Sequence, residues 1–243
     1  MRVLRIDLEY DGTAFFGWTT QPGLRTLQQE LTVGLETVLR GPVTLAVAGR
    51  TDRGVHASGQ VVSAEITSDI VAGRIERGLN ALLPEDMKAR AVVDASPTFN
   101  ARHDARSRRY AYRILIGAPS PLRRTQTYYY AYPLDFDAMR AAAALVVGEH
   151  DFRAFTPTDT EHVRFERTVS ECRWDEVGDE LVLTIEADAF LRHMVRSLAG
   201  SMLMVGRGSR DVDWFADLLT GQPRSAGGRN LPPRGLTLVS VRY

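Results

Sequence analysis

The chain has 243 residues, 44% hydrophobic and 25% charged, enough for one large or two small globular units with a sizeable core. No run of eighteen apolar residues occurs, and the opening MRVLRIDLEYDG alternates like a strand and lacks a signal peptide's apolar stretch, so a cytoplasmic protein without membrane spans is expected. Zero net charge argues against a uniformly basic nucleic-acid binder, and the single cysteine, Cys172, excludes an internal disulfide or a cysteine-built zinc site and reads as strand packing.

Residues 3–10 alternate and predict a strand. Residues 26–39 predict a helix with Leu27, Leu31, Leu35, Val38 and Leu39 as its apolar stripe, opened by a capping box of Thr26 and Gln29. Strands follow at 43–48 and about 58–66. A helix follows at 69–82, with Asp69 as cap and Ile75, Leu79 and Leu82 on one face, and then a strand at 88–94. The order is β-α-β-β-α-β, the split-βαβ unit. The second half repeats it: a strand at 108–117, a short edge strand in TYYYAY, and an alanine-rich helix at 135–147. A loop at 148–166 leads to a hairpin of 167–177 and 180–188 across Gly178 and Asp179. Helices at 190–206 and 211–220 and a strand at 236–242 complete it. The expected fold is α+β: two fused βαββαβ halves, 1–105 and 106–243, in one wide, mainly antiparallel sheet with helices on one face and a cleft on the other.

Positive charge is almost all arginine, since Lys88 is the only lysine. Arginine forks onto phosphates and stacks on bases. ARHDARSRRYAYR clusters Arg102, Arg106, Arg108, Arg109 and Arg113 with Tyr110 and Tyr112, and Arg192, Arg196, Arg207 and Arg210 form a second set. Basic residues mixed with aromatics suit a surface that follows phosphates and stacks bases.

No HExxH, Walker A loop or GxSxG elbow is present, and the five histidines show no ligand spacing. What remains is AGRTDRGVHASGQVV, Ala48–Val62, with Asp52 between Arg50 and Arg53 on a loop between strands. A carboxylate acts as nucleophile or base without a metal, and a nearby guanidinium keeps it ionised against burial. A structural turn aspartate fits the same spacing. On the 190–206 helix, Leu191, Met194, Val195, Leu198, Met202 and Val205 form one stripe. His193, Arg196, Ser197, Gly200 and Arg207 lie opposite, either facing solvent or, given the small Ala199, Gly200 and Ser201, meeting another element.

Further blocks carry a resemblance. YDGTAFFGW followed by Gln21, AGRTDRGVHASGQV, FNARHDARSRRYAYRI, FLRHMVRSLAGSMLMVG and GLTLVSVRY stand in an order similar to that of the tRNA pseudouridine synthase A family, over nearly the whole chain. The resemblance implies an isomerase that converts uridines 38, 39 and 40 of the tRNA anticodon stem-loop to pseudouridine, as a homodimer, with no cofactor or metal. It implies Asp52 as the attacking carboxylate, at C1′ of the ribose or C6 of the base. It further implies Tyr110 stacked on the target base, Arg196 paired with the aspartate, and Arg50 filling the vacated stack. Arg53, where a small residue is common in the family, and Arg108 and Arg109 are expected RNA contacts. Asp188 stands where the family often has asparagine and is expected to cap the helix near Phe190. The rival readings are a non-catalytic RNA-binding protein, which needs no Asp52, and a carboxylate hydrolase of sugars or nucleosides. The hydrolase wants a second acid, and the nearest is Glu65.

Overall fold

A computed structural model of the protein describes residues 2–160 and 162–243. Glu161, inside the expected 148–166 loop, lies outside the described residues. The chain divides into two compact units, one of residues 1–106 with Thr237–Tyr243, the other Ser107–Leu236.

The first unit runs β1 (Arg2–Tyr10), α1 (Leu27–Leu39), β2 (Thr44–Val47), β3 (His56–Ile66), α2 (Ala72–Leu82) and β4 (Met87–Ala95). β1 lies between β3 and β4, antiparallel to both. The chain's last strand also belongs here: Thr237 and Leu238 pair in parallel with His56 and Ala57 of β3. β2 pairs antiparallel with residues 62–65 of β3, so β3 is lined along most of its length. Leu4, Ile6 and Leu8 of β1 are fully buried, as are Leu31 and Leu35 of α1 and Ile75 and Leu79 of α2. Burial of such a side chain contributes about 1.5–3 kcal/mol.

The second unit contains β5 (Ser107–Leu115), β6 (Tyr128–Tyr129), α3 (Phe136–Ala144), β7 (Gly148–Asp151), β8 (Glu166–Val177), β9 (Glu180–Ala187), α4 (Met194–Gly206) and α5 (Val212–Leu218). β5, β9, β8 and β7 pair antiparallel in that order, and β6 lies parallel to β5. The remaining strand is β10, Leu236–Arg242. The fold is α+β, as the periodicity indicates.

The differences have local causes. Thr26 stands at the N-cap of α1, but it makes no side-chain cap bond and its buried hydroxyl has no hydrogen-bond partner. The carbonyls of Gly17 and Trp18 take the Leu27 and Gln28 N–H groups, so two donors of the first turn are satisfied without the Thr26 side chain. α2 begins after Val71, not at Asp69, and its Leu82 is exposed. Residues 148–151, read as loop, form β7 through pairing with β8, a tertiary contact that periodicity does not encode. Asp188 caps no helix: its carboxylate accepts the Ala189 and Thr168 N–H groups, and α4 starts only at Met194, after His193 at φ +65°. Of the α4 face opposite the apolar stripe, Ser197 and Gly200 are buried, as is Ser201, His193 and Arg196 are half-buried and Arg207 is exposed, so the small residues meet another element. Segment 228–231 crosses it, and a Cβ on Gly200 would lie 1.9 Å from the Arg229 carbonyl oxygen.

True caps occur at Asp135 and Asp211, which accept the Ala138 and Trp214 N–H groups at 2.9 and 2.8 Å. Asp135→Ala is expected to cost about 1 kcal/mol in urea denaturation. Thr26→Val, which deletes an unpartnered buried hydroxyl, should leave stability unchanged or raise it.

Candidate active site

In the first unit the segment from Gly49 to Val55 is held by buried groups. Gln60 of β3 donates through Nε2 to the Gly49 carbonyl at 2.6 Å and to the Tyr10 hydroxyl at 3.1 Å. Tyr10 meets the Thr51 hydroxyl at 2.8 Å. The outer side is held by the DGTAFFGW stretch: Trp18 N–H donates to the Thr51 carbonyl at 3.0 Å and Gly54 N–H to that of Phe15 at 3.3 Å. Gly12 sits so close that a Cβ there would lie 1.9 Å from the Val55 carbonyl oxygen. A turn from the Asp52 carbonyl to Val55 N–H, 3.1 Å, closes the loop. The two sequence blocks are therefore one structure, a loop and its brace.

The result is a half-buried Asp52 between two exposed arginines, Arg50 and Arg53. The Arg53 guanidinium lies over the Phe16 ring, 4.2 Å from its centroid. Behind the brace, Arg25 forks onto Asp86 at 2.7 and 2.8 Å and lies over Phe15 at 4.2 Å. At the loop's far end, His56 Nδ1 is 3.1 Å from both Gly12 N–H and the Asp11 carboxylate. Burial alone would raise the Asp11 carboxyl, but hydrogen bonds from Thr13 and the nearby His56 outweigh it and hold the group below its ordinary value.

In the second unit, Tyr110 of β5 is buried with its ring edge-to-face on Phe190 at 5.0 Å and 79°. Arg196 of α4 is oriented by segment 228–231: its Nε donates to the Leu231 carbonyl at 2.7 Å, and Leu231 N–H donates to the Arg196 carbonyl at 3.1 Å. Tyr112 donates to the Pro232 carbonyl at 2.8 Å. Arg108 donates to the Asp188 carbonyl, also at 2.7 Å. Arg109 is engaged by two carboxylates, Glu186 at 2.8 Å and Glu171 at 2.5 Å, across the sheet. Cys172 is buried, and burial pushes its thiol well up, away from thiolate chemistry.

A family model described as tRNA pseudouridine synthase matches residues 8–104 and 142–243, which include the Asp52 loop and all of α4. The chain belongs to this family. It is 40% identical over 242 residues to tRNA pseudouridine synthase A of Myxococcus xanthus, covering 99% of this chain and 91% of that protein. It is 43% identical to that of Streptomyces griseus, covering 99% and 87%, and 38% identical to that of Geotalea uraniireducens, covering the whole of both. A solved Cbf5–Nop10–Gar1 complex aligns over 97% of this chain and 48% of its own, at 14% identity and TM-score 0.40.

As a tRNA pseudouridine synthase the protein is an isomerase. The N1–C1′ glycosidic bond of a uridine breaks, a C5–C1′ bond forms, the C5 proton leaves and N1 gains one. Family membership removes both the non-catalytic and the glycosidase readings. Sequence reasoning missed two groups. One is the Tyr10–Thr51–Gln60 network, whose members are forty-one and nine positions apart in the chain and meet only through β1–β3 pairing. The other is Phe190, which it treated as a helix start and not as the partner of Tyr110.

Asp11 supplies a pH signature for the brace. Its folded pKa lies below the unfolded value of about 3.9, so its stabilisation is fully present above that value and is lost as pH falls through the folded pKa. Denaturant midpoints measured from neutral pH downward should fall more shallowly below about pH 4 for Asp11→Asn than for wild type.

Proposed function

We propose that the enzyme isomerises uridines 38, 39 and 40 of the tRNA anticodon stem-loop, with Asp52 as the nucleophile. The observation that carries this reading is the Asp52 loop itself. It is half-buried, tied at Gly49, Thr51 and Gly54, and flanked by exposed Arg50 and Arg53. A nucleophile must be ionised and held, and bracing the backbone on both sides of Asp52 fixes the peptide that carries it.

The target base must leave its stack, at a cost of a few kcal/mol. Tyr110, with its ring oriented by Phe190, stacks on the extruded uracil, and one such stack returns about 1–3 kcal/mol. Arg196, aimed by its bond to the Leu231 carbonyl, serves as the cation that keeps the aspartate charged. Arg50 fills the place the base has left, and Arg53 and Arg108 contact phosphates. Arg109, already clamped by Glu171 and Glu186, serves the RNA surface mainly by fixing the sheet beside Tyr110. Asp52 attacks C1′ or C6; either route returns the base to the ribose through C5. The protein works in the cytoplasm as a homodimer that presents both copies to one tRNA, a state that light scattering of the purified protein checks.

The test is pseudouridine mapping of anticodon-arm RNA. Wild type should convert uridines on the 3′ side of the arm only, while Asp52→Ala should bind the RNA comparably and convert about a thousand-fold more slowly or not at all. Conversion elsewhere in the tRNA would refute the position assignment, and an active Asp52→Ala would refute the nucleophile.

A further inference from the structure

We infer that Thr51 is a positioning residue for Asp52, with its hydroxyl oriented by a one-way hydrogen-bond chain that begins at Gln60. The inference rests on the reading of Asp52 as nucleophile.

The direction of the chain follows from which atoms can only accept. The Gly49 carbonyl lies 2.6 Å from one end of the Gln60 amide, and a carbonyl has no proton to give, so that end is the nitrogen. The same nitrogen's other proton goes to the Tyr10 oxygen at 3.1 Å. The amide oxygen meanwhile accepts Val61 N–H at 3.2 Å. Tyr10 therefore accepts from Gln60 and gives its single proton to Thr51 Oγ1 at 2.8 Å. The reverse arrangement strands the Tyr10 proton in a buried site. Gln60, Tyr10 and Thr51 are all buried, so no solvent competes for these bonds. Burial also pushes the Tyr10 hydroxyl up to about 12, so its proton stays in place at any ordinary assay pH.

Thr51 is thereby fixed on two sides, by Tyr10 through its side chain and by Trp18 through its carbonyl. Gly49, two positions earlier, is fixed by the same Gln60. Asp52 follows directly, so the peptide that carries it starts from an immobile residue. Losing the Thr51 hydroxyl frees one of the two anchors. Misplacement of a reacting group by about 1 Å costs on the order of a hundred-fold in rate.

Steady-state kinetics on anticodon-arm RNA test this. Thr51→Val keeps the side chain's shape and removes the hydroxyl. Tyr10→Phe removes the donor to it. Each should lower kcat by about 10- to 100-fold with KM changed less than about two-fold. Thr51→Ser should recover most of the rate. The Thr51→Val/Tyr10→Phe double variant should be no slower than the slower single, because both cut one chain. Wild-type kcat in Thr51→Val overturns the inference, as does a Thr51→Ser enzyme as slow as Thr51→Val, or rate losses that only follow the folded fraction in thermal melts. If Thr51→Val does not fold, Tyr10→Phe against wild type decides by the same kcat and KM criteria. Asp52→Ala is run alongside. If it is active, the nucleophile reading fails and this inference with it; if it is inactive while Thr51→Val is at full rate, only this inference fails.

Discussion

A carboxylate that attacks must be held at one place. The rest of this structure depends on how the chain meets that constraint. It anchors the backbone around Asp52 with groups drawn from β1, β3 and the stretch between β1 and α1. These anchors are neutral hydrogen bonds, and those joining Gln60 to Tyr10 and Tyr10 to Thr51 are buried. A buried charged anchor would perturb the aspartate's own ionisation, whereas a neutral hydroxyl and amide hold the loop without adding a competing charge.

The brace explains features that otherwise look unrelated. Gly12 is needed because its neighbour is the Val55 carbonyl and no side chain fits. Thr26 makes no cap bond, and the brace's own carbonyls take the first two N–H groups of α1. Arg25, forked on Asp86 and laid on Phe15, ties the stretch between β1 and α1 to the approach to β4. In the second unit the same economy recurs: Arg196 is aimed by a backbone carbonyl, and Tyr110 by the edge of Phe190.

Much of this was legible in the sequence. The alternation of VLRIDLEY and the leucine spacing of LQQELTVGLETVL are local signals, and the elements they predict are present almost residue for residue. The specificity of GRTDRGVHASGQ pointed to the loop and to Asp52. What local patterns could not carry was pairing. β7 exists because β8 pairs with it, and the last strand joins the first unit because β3 offers it an edge. α4 looked half polar because its serines and glycine suit both a solvent face and a tight crossing, and only segment 228–231 decides between them. Gln60 stands in that same block, but its bond to Tyr10 forms only because β1 lies beside β3.

The central claim is that placement of the Asp52 charge, not its mere presence, sets the rate. The most direct measurement is the single-turnover rate of Asp52→Glu on anticodon-arm RNA, beside Asp52→Asn. Glutamate keeps the charge and moves it by one methylene on an unyielding loop. The account predicts that both variants bind RNA and that both are slower than wild type by about a hundred-fold or more. An Asp52→Glu enzyme running near the wild-type rate would show that the loop need not hold the carboxylate in place, and would contradict the account.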